Sequence, residues 1–445
     1  MNGLVLALIL AVTTFGYLIG IDVLPRVTKY AAELMSGLVL LVVLIGGTRN
    51  RFHFVRPAYW FAFAAVAATM LCGALANSLE SGPLFAGLRS YLRAVPLFFL
   101  PAVYAFSQRQ IRTQFFVLVI VGLAQLPIAI HQRGTTAYEG GASGDATSGT
   151  LLGSGLLSVF LISALCVLTA AFLRKQIKLI LFLPLFILLL LPTTLNETKA
   201  TVVMLPIALL VTFIAGSQKG TRFKNAVVAT SLLVVAAAIF VPVYDYYASK
   251  QKYGTSILEF FSDKKTFERY VSKEAGIGTR EARVVGRVDA ILTPLSEMSK
   301  DPTHLAFGLG IGNASASALG PNFTGKHFHK FAPFLKSAGA VFILEIGLLG
   351  LALVLTIDYL IYRDSRAVAE TDSGLIGTLA VGWAGVTAVI VMGTFYTSLT
   401  SSEALSYLFW FYSGVVAAER VRLAHRATSL SRERTAQHRL HAADA

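Results

Sequence analysis

Apolar runs long enough to cross a bilayer dominate this chain, and only one long polar stretch, residues 244–335, interrupts them. A helix of roughly twenty apolar residues spans about 30 Å of hydrocarbon, and inside hydrocarbon each segment must satisfy its own backbone amides. Such runs are read at 3–20, 29–47, 58–76, 94–108, 114–131, 151–173, 179–193, 201–216, 226–243, 337–361, 375–397 and 404–418. A chain of this kind cannot fold as a water-soluble domain: 55% of its residues are hydrophobic and 14% charged, and its mean hydropathy is +0.67. The expected fold class is an all-α polytopic integral membrane protein with about 12 transmembrane helices and one large, mainly helical loop late in the chain.

The organisation follows from the same pattern. Residues 1–243 are expected to hold transmembrane helices 1–9, 244–335 the large loop domain, 336–420 helices 10–12, and 421–445 a basic tail. The runs at 94–108 and 179–193 are short and carry Pro96, Pro101, Pro184 and Pro192 at or near their ends, which predicts tilts and breaks. The first run has no basic leader and is expected to be retained rather than cleaved.

Lysine and arginine fall in alternate connections: Arg49, Arg51 and Arg56; Arg109 and Arg112; Arg174, Lys175 and Lys178; Lys219, Arg222 and Lys224; Arg363 and Arg366; then six arginines from Arg420 to Arg439. Positive loops stay on the cytoplasmic side, so both termini are expected in the cytoplasm and the large loop on the opposite face. The formal charge of +14 then needs no nucleic-acid partner, because a basic tail resting on anionic lipid accounts for it. Cys72 and Cys166 both lie inside apolar runs, where a thiol acts as a small hydrophobe. No zinc-type His/Cys spacing, P-loop or dinucleotide fingerprint occurs, so no metal or cofactor is expected, and no internal repeat of the kind many transporters show is evident.

The long interruption carries the groups suited to chemistry. Arg280, Arg283 and Arg287 are spaced three and four apart on an expected helix from Thr279 toward Met298, hence on one face. Three guanidiniums so placed suit phosphate or diphosphate oxygens; alternatively they form a solvated face paired with Glu274, Glu281 and Asp289. Gly308, Gly310, Gly312 and Asn313 form a glycine run that permits tight turns and exposed amides able to cradle an anion, or serves only as a flexible turn back to the membrane. His327 and His329 follow, between Phe328 and Phe331, and Glu345 stands near the start of the next span, either functional or merely interfacial. Arg89 and Arg93, four apart on an amphipathic stretch, are further candidates to touch diphosphate oxygens, with interfacial anchoring as the plain alternative; His131, Gln132 and Arg133 on the same face precede a Gly/Ser-rich loop at 134–150 that either carries acceptor contacts or is a plain linker.

The order Arg287, helix, glycine turn, histidine, then Glu345-x-Gly347-x-x-Gly350 entering a span resembles the bacterial O-antigen ligase and O-antigen polymerase superfamily. The many spans with one large late loop fit the same family, while the specific motifs lie within 287–350. The resemblance implies transfer of a glycan from an undecaprenyl diphosphate-linked donor to a sugar hydroxyl without a metal, on the periplasmic side of the bacterial cytoplasmic (inner) membrane. The acceptor would be a growing glycan or lipid A-core, and a chain-length regulator would be a further partner. Two departures are visible. His329 is followed by Lys330 where the family often has His-Asn closer to the glutamate, and Thr198-Lys199 stands where it often has Ser-x-Arg.

The chemistry asks for two things. Negative charge develops on the departing diphosphate and calls for fixed cations, for which Arg287 and Lys199 are the candidates. The attacking hydroxyl calls for a base, a role that suits His329 or His327. A lipid-linked sugar transporter or flippase is the rival reading, though it would call for charges at mid-membrane.

Overall fold

The computed structural model of the protein describes residues 1–49, 55–138, 146–217, 222–249, 255–271 and 285–443. Among these residues all regular secondary structure is helical. In chain order the helices are α1 (Asn2–Gly20), α2 (Arg26–Arg49) and α3 (Pro57–Ala76); α4 (Ser81–Leu92), α5 (Val95–Val103), α6 (Gln108–Tyr138), α7 (Ser154–Leu173), α8 (Leu179–Leu195), α9 (Thr201–Gly216) and α10 (Arg222–Ser249); α11 (Ile257–Ser262), α12 (Lys264–Val271), α13 (Asp289–Met298), α14 (Pro302–Phe307) and α15 (Phe328–Phe331); then α16 (Ala338–Thr371), α17 (Leu375–Tyr396) and α18 (Glu403–Ala443).

Eight helices, α1, α2, α3, α6, α7, α10, α16 and α17, are long and apolar enough to cross a membrane, and α8 and α9 are shorter apolar helices. The run expected at 94–108 forms only the nine-residue α5, limited by Pro96 at its start and by extended backbone at Tyr104. The run expected at 404–418 is the apolar opening of α18, and the basic tail continues that helix instead of leaving it. At the other boundary α10 runs on to Ser249, past the expected end of the first block.

Burial separates an inner from an outer shell. In α17 78% of the apolar span is buried inside the protein, against 28–33% in α1, α2, α3, α6 and α10. The outer helices turn large apolar side chains outward, Phe61 at 75% exposure for example. Water would not tolerate such a surface, whereas lipid is as apolar as the side chains themselves. The short α5 is held by stacked rings: Trp60 lies 4.6 Å from Phe99, Tyr59 4.9 Å from Phe98, and Trp410 6.0 Å from Phe98.

At the basic end of the bundle, arginines tie helices together. Arg56 pairs with Asp364 of α16, and the Tyr59 hydroxyl donates to the same carboxylate at 2.9 Å. Arg422 donates to the Pro101 carbonyl at 2.6 Å. Asp372 accepts from the amides of Gly374 and Gly377, both at 2.7 Å, and so starts α17.

The Arg56–Asp364 pair is asymmetric, because the Asp364 side chain is 1% exposed and that of Arg56 24%. Removing the arginine strands a buried carboxylate, whereas removing the carboxylate leaves a cation that can reach water. Arg56→Ala is expected to cost about 3 kcal/mol and Asp364→Asn about 1 kcal/mol, read as thermal midpoints of the detergent-solubilised protein; equal losses would contradict this account.

Candidate functional site

The glycine run of the large loop is buried from Gly308 to Ala314. It threads between the end of α3, the flank of α4 and the N-terminal part of α16. Gly308, Gly310 and Gly312 have φ of +74°, +92° and +74°, the left-handed region that glycine alone enters freely. Space excludes a side chain as well. A Cβ at Gly308 would lie 2.5 Å from the backbone of Glu345, and one at Gly312 would run into the Pro83 carbonyl. Facing the run, α16 breaks at Gly347 (φ +70°, ψ −175°). The Leu344 carbonyl just before the break accepts from the Leu309 amide at 2.7 Å. The loop therefore repairs the helix that it enters.

Glu345 sits at this junction, 1% exposed. Its carboxyl group faces the amides of Gly312 and Ala314 and the hydroxyls of Ser315 and Tyr91. Even so, its Oε1 and the Tyr91 hydroxyl oxygen are buried without a well-formed hydrogen bond. The glycine run does form a concave set of amides, and its occupant is this internal carboxylate. Glu345 lies inside α16 and does not cap its start.

Two imidazoles hang from this frame. His327 donates its backbone amide to the Asn313 carbonyl at 3.0 Å. His304, which the sequence did not single out, places Nε2 2.9 Å from Asn77 Oδ1 and Nδ1 3.4 Å from Asp301. Asn77 in turn donates to the carbonyls of Gly73 at 2.8 Å and Gly308 at 3.1 Å. Burial, then the charges of Lys326, Lys330 and His304, lower the pKa of His327 below its ordinary value. His329 is exposed and lies edge-on to Phe328. The neighbouring Glu297 is held down to about 2 by hydrogen bonds from Lys300 and Lys330.

Arg287 precedes α13 instead of lying on it, because the helix starts only at Asp289. Arg280 and Arg283 lie outside the described residues. Arg287 Nη1 donates to the Tyr396 carbonyl at 3.1 Å and to that of Lys336 at 3.5 Å, and its guanidinium lies 4.9 Å from the Tyr396 ring centre. Lys336 Nζ donates to the Val285 carbonyl at 2.7 Å. Burial and the adjacent Arg287 lower the Lys336 pKa. Two half-buried cations thus stand side by side on carbonyl oxygens, with no ion pair to a carboxylate for either among the described residues.

The other basic candidates are engaged differently. Arg89 grips Glu33 at 2.6 and 2.9 Å, and Arg93 bridges Glu33 at 3.3 Å and Glu403 at 2.9 Å. Lys199 lies 5.0 Å from the Phe260 ring centre. Arg133 pairs with Glu197 beside the Tyr247 ring. Among the described residues no three His, Cys, Asp or Glu side chains gather as metal ligands would. Lys336, His304, Asn77 and Tyr91 were not marked by the sequence, and only the capping pattern Asp301-Pro302-Thr303-His304 offered a local signal.

The junction predicts a graded response. Glu345→Ala removes the carboxylate that the Gly312 and Ala314 amides face and is expected to cost about 3 kcal/mol, whereas Glu345→Gln keeps one acceptor oxygen and is expected to cost less than half of that. Thermal midpoints and the rate of protease cleavage within 300–336 read both, and equal effects of the two variants would refute the cradle.

No protein-family model matches the chain, and no curated protein matches it.

Proposed function

We propose that the protein is a glycosyltransferase of cell-surface polysaccharide assembly in the bacterial inner membrane, with both termini cytoplasmic and the large loop periplasmic. It takes a glycan from an undecaprenyl diphosphate-linked donor and passes it to a sugar hydroxyl. As an O-antigen or exopolysaccharide repeat-unit polymerase its acceptor is another glycan; as an O-antigen ligase its acceptor is lipid A-core. The observation that supports this reading best is the Arg287–Lys336 pair: two half-buried cations held on carbonyls and without carboxylate ion pairs among the described residues, at the end of α17. Like charges so placed repel each other, and a diphosphate between them would relieve the repulsion.

In this mechanism the acceptor hydroxyl oxygen attacks the anomeric carbon. The bond from that carbon to the diphosphate oxygen breaks, and its electron pair leaves with undecaprenyl diphosphate. Arg287 and Lys336 stabilise the charge that develops there. His327, kept neutral at pH 7 by burial and neighbouring lysines, takes the hydroxyl proton. His327 fits the role better than His329, whose ring stands at the exposed surface.

One observation favours a second reading, a lipid-linked sugar transporter or flippase. α16 is broken at Gly347 and carries three buried carboxylates, Glu345, Asp358 and Asp364, and intramembrane acids beside broken helices are characteristic of transporters. Lipid analysis of a deletion strain separates the two. Transferase function is expected to leave undecaprenyl diphosphate glycans accumulated on the outer leaflet, with Arg287→Ala and His327→Ala failing to relieve them and His329→Ala relieving them. Accumulation on the inner leaflet would favour the transporter.

The pH profile of the purified enzyme offers an independent test. A base with a lowered pKa stays neutral to more acid pH, so the acid limb is expected to have its midpoint below 6.5. Lys336 loses its charge below its ordinary 10.5, so the alkaline limb is expected to fall short of that value. An acid midpoint above 6.5 would exclude His327 as the base.

A further inference from the structure

A cavity of about 600 Å³ lies among α6, α7, α8, α17 and α18, away from the loop site. It exists because α6 packs on α8 and α1 while barely touching α7 and α17. Its walls are apolar along their length, Val167, Leu189, Leu379, Val386 and Phe409 among them. Both Leu375 and Ile390 line it. At 1.5 Å per residue these two lie about 22 Å apart along α17. One leaflet of a bilayer is about 15 Å of hydrocarbon, half of the core thickness. The slot is therefore deep enough for a hydrocarbon chain entering from one leaflet.

The end at which the chain would enter is marked by charge. Arg112 and Gln176 line the cavity there; Arg109 precedes Arg112 by one turn, and Lys175 and Lys178 flank Gln176 and Ile177 in the α7–α8 connection. Arg112, Lys175 and Lys178 are exposed. Among the described residues none of these four cations forms an ion pair with an acid. The nearby carboxylate of Asp372 is already taken by the Gly374 and Gly377 amides. An apolar slot of leaflet depth under a collar of exposed cations matches a lipid with a hydrocarbon tail and an anionic head.

We propose that this cavity binds one acyl chain of an anionic glycerophospholipid from the leaflet at the basic end, with the lipid phosphate resting on Arg112 and the Lys175–Lys178 turn. Neither the head nor the tail suffices alone. The tail fills a gap between helices that otherwise lose contact, and the head fixes α6 to the α7–α8 connection. The site is independent of the proposed glycosyl transfer.

The test uses the full-length protein, delipidated in detergent and titrated with palmitoyl-oleoyl phosphatidylglycerol or the matching phosphatidylcholine while its thermal midpoint is followed. The glycerol lipid is expected to raise the midpoint by several degrees and the choline lipid by less than half as much. Arg112→Glu is expected to raise the phosphatidylglycerol concentration for half the shift at least tenfold. Arg366→Glu, at the same end but paired with Glu370, is expected to leave it unchanged. Ala164→Trp, which fills the cavity, is expected to abolish the response; should it fail to fold, the Arg112→Glu and Arg366→Glu comparison decides alone. Equal shifts from both lipids, equal losses in the two arginine variants, or a shift given only by a polyprenyl diphosphate would each overturn the proposal.

Discussion

A helix that breaks inside a membrane bundle leaves backbone groups with no water to turn to, and a loop that enters the bundle brings more of them. In this protein each answers the other. The break of α16 at Gly347 leaves the Leu344 carbonyl, which takes the Leu309 amide. The buried loop in turn directs the Gly312 and Ala314 amides at Glu345, two residues before the break. Neither feature would be tolerable by itself. An isolated carboxylate buried at this depth would be costly, and so would a run of buried glycine amides without an acceptor.

The consequence is registry. The left-handed backbone at Gly308, Gly310 and Gly312 allows one path, and the close approaches to Glu345 and Pro83 leave no room for a side chain to shift it. His327 is then set by its bond to the Asn313 carbonyl, and His304 by Asn77, which also holds the Gly308 carbonyl. The imidazoles belong to a loop in sequence but to the bundle in structure. Side chains on a loop keep a fixed position only where a rigid support holds them, and here the packed helices supply it.

Hydropathy made most of the long helices legible, because crossing hydrocarbon demands both a length and an apolar composition. It did not separate α5, which is apolar and buried yet nine residues long, since burial in protein and burial in lipid look alike in a hydropathy profile. The site was legible in kind and not in arrangement. Arg89 and Arg93 stood out as basic, but their partners Glu33 and Glu403 are remote in sequence and no periodicity links them. The glycine run announced a turn, while its burial left no trace, because glycine is equally at home in either setting. Lys336 was hidden for a similar reason: its meaning comes from Arg287, 49 residues away, as does its lowered pKa.

The contrast among the cations bears on where an anion would bind. Arg89 and Arg93 are held by two carboxylates, so their charge is spent inside the protein. Arg287 and Lys336 are held by the carbonyls of Tyr396 and Val285. A carbonyl fixes the position of a cation without neutralising it, since it offers only a dipole. Its orienting effect therefore leaves the net charge available to a ligand, in the way preorganised sites stabilise charge that appears during a reaction. The Tyr396 carbonyl closes α17, the most buried of the eight long apolar helices, and the negative end of that helix's dipole falls on Arg287. The interior of the bundle thus places a cation at its surface and leaves that charge unspent.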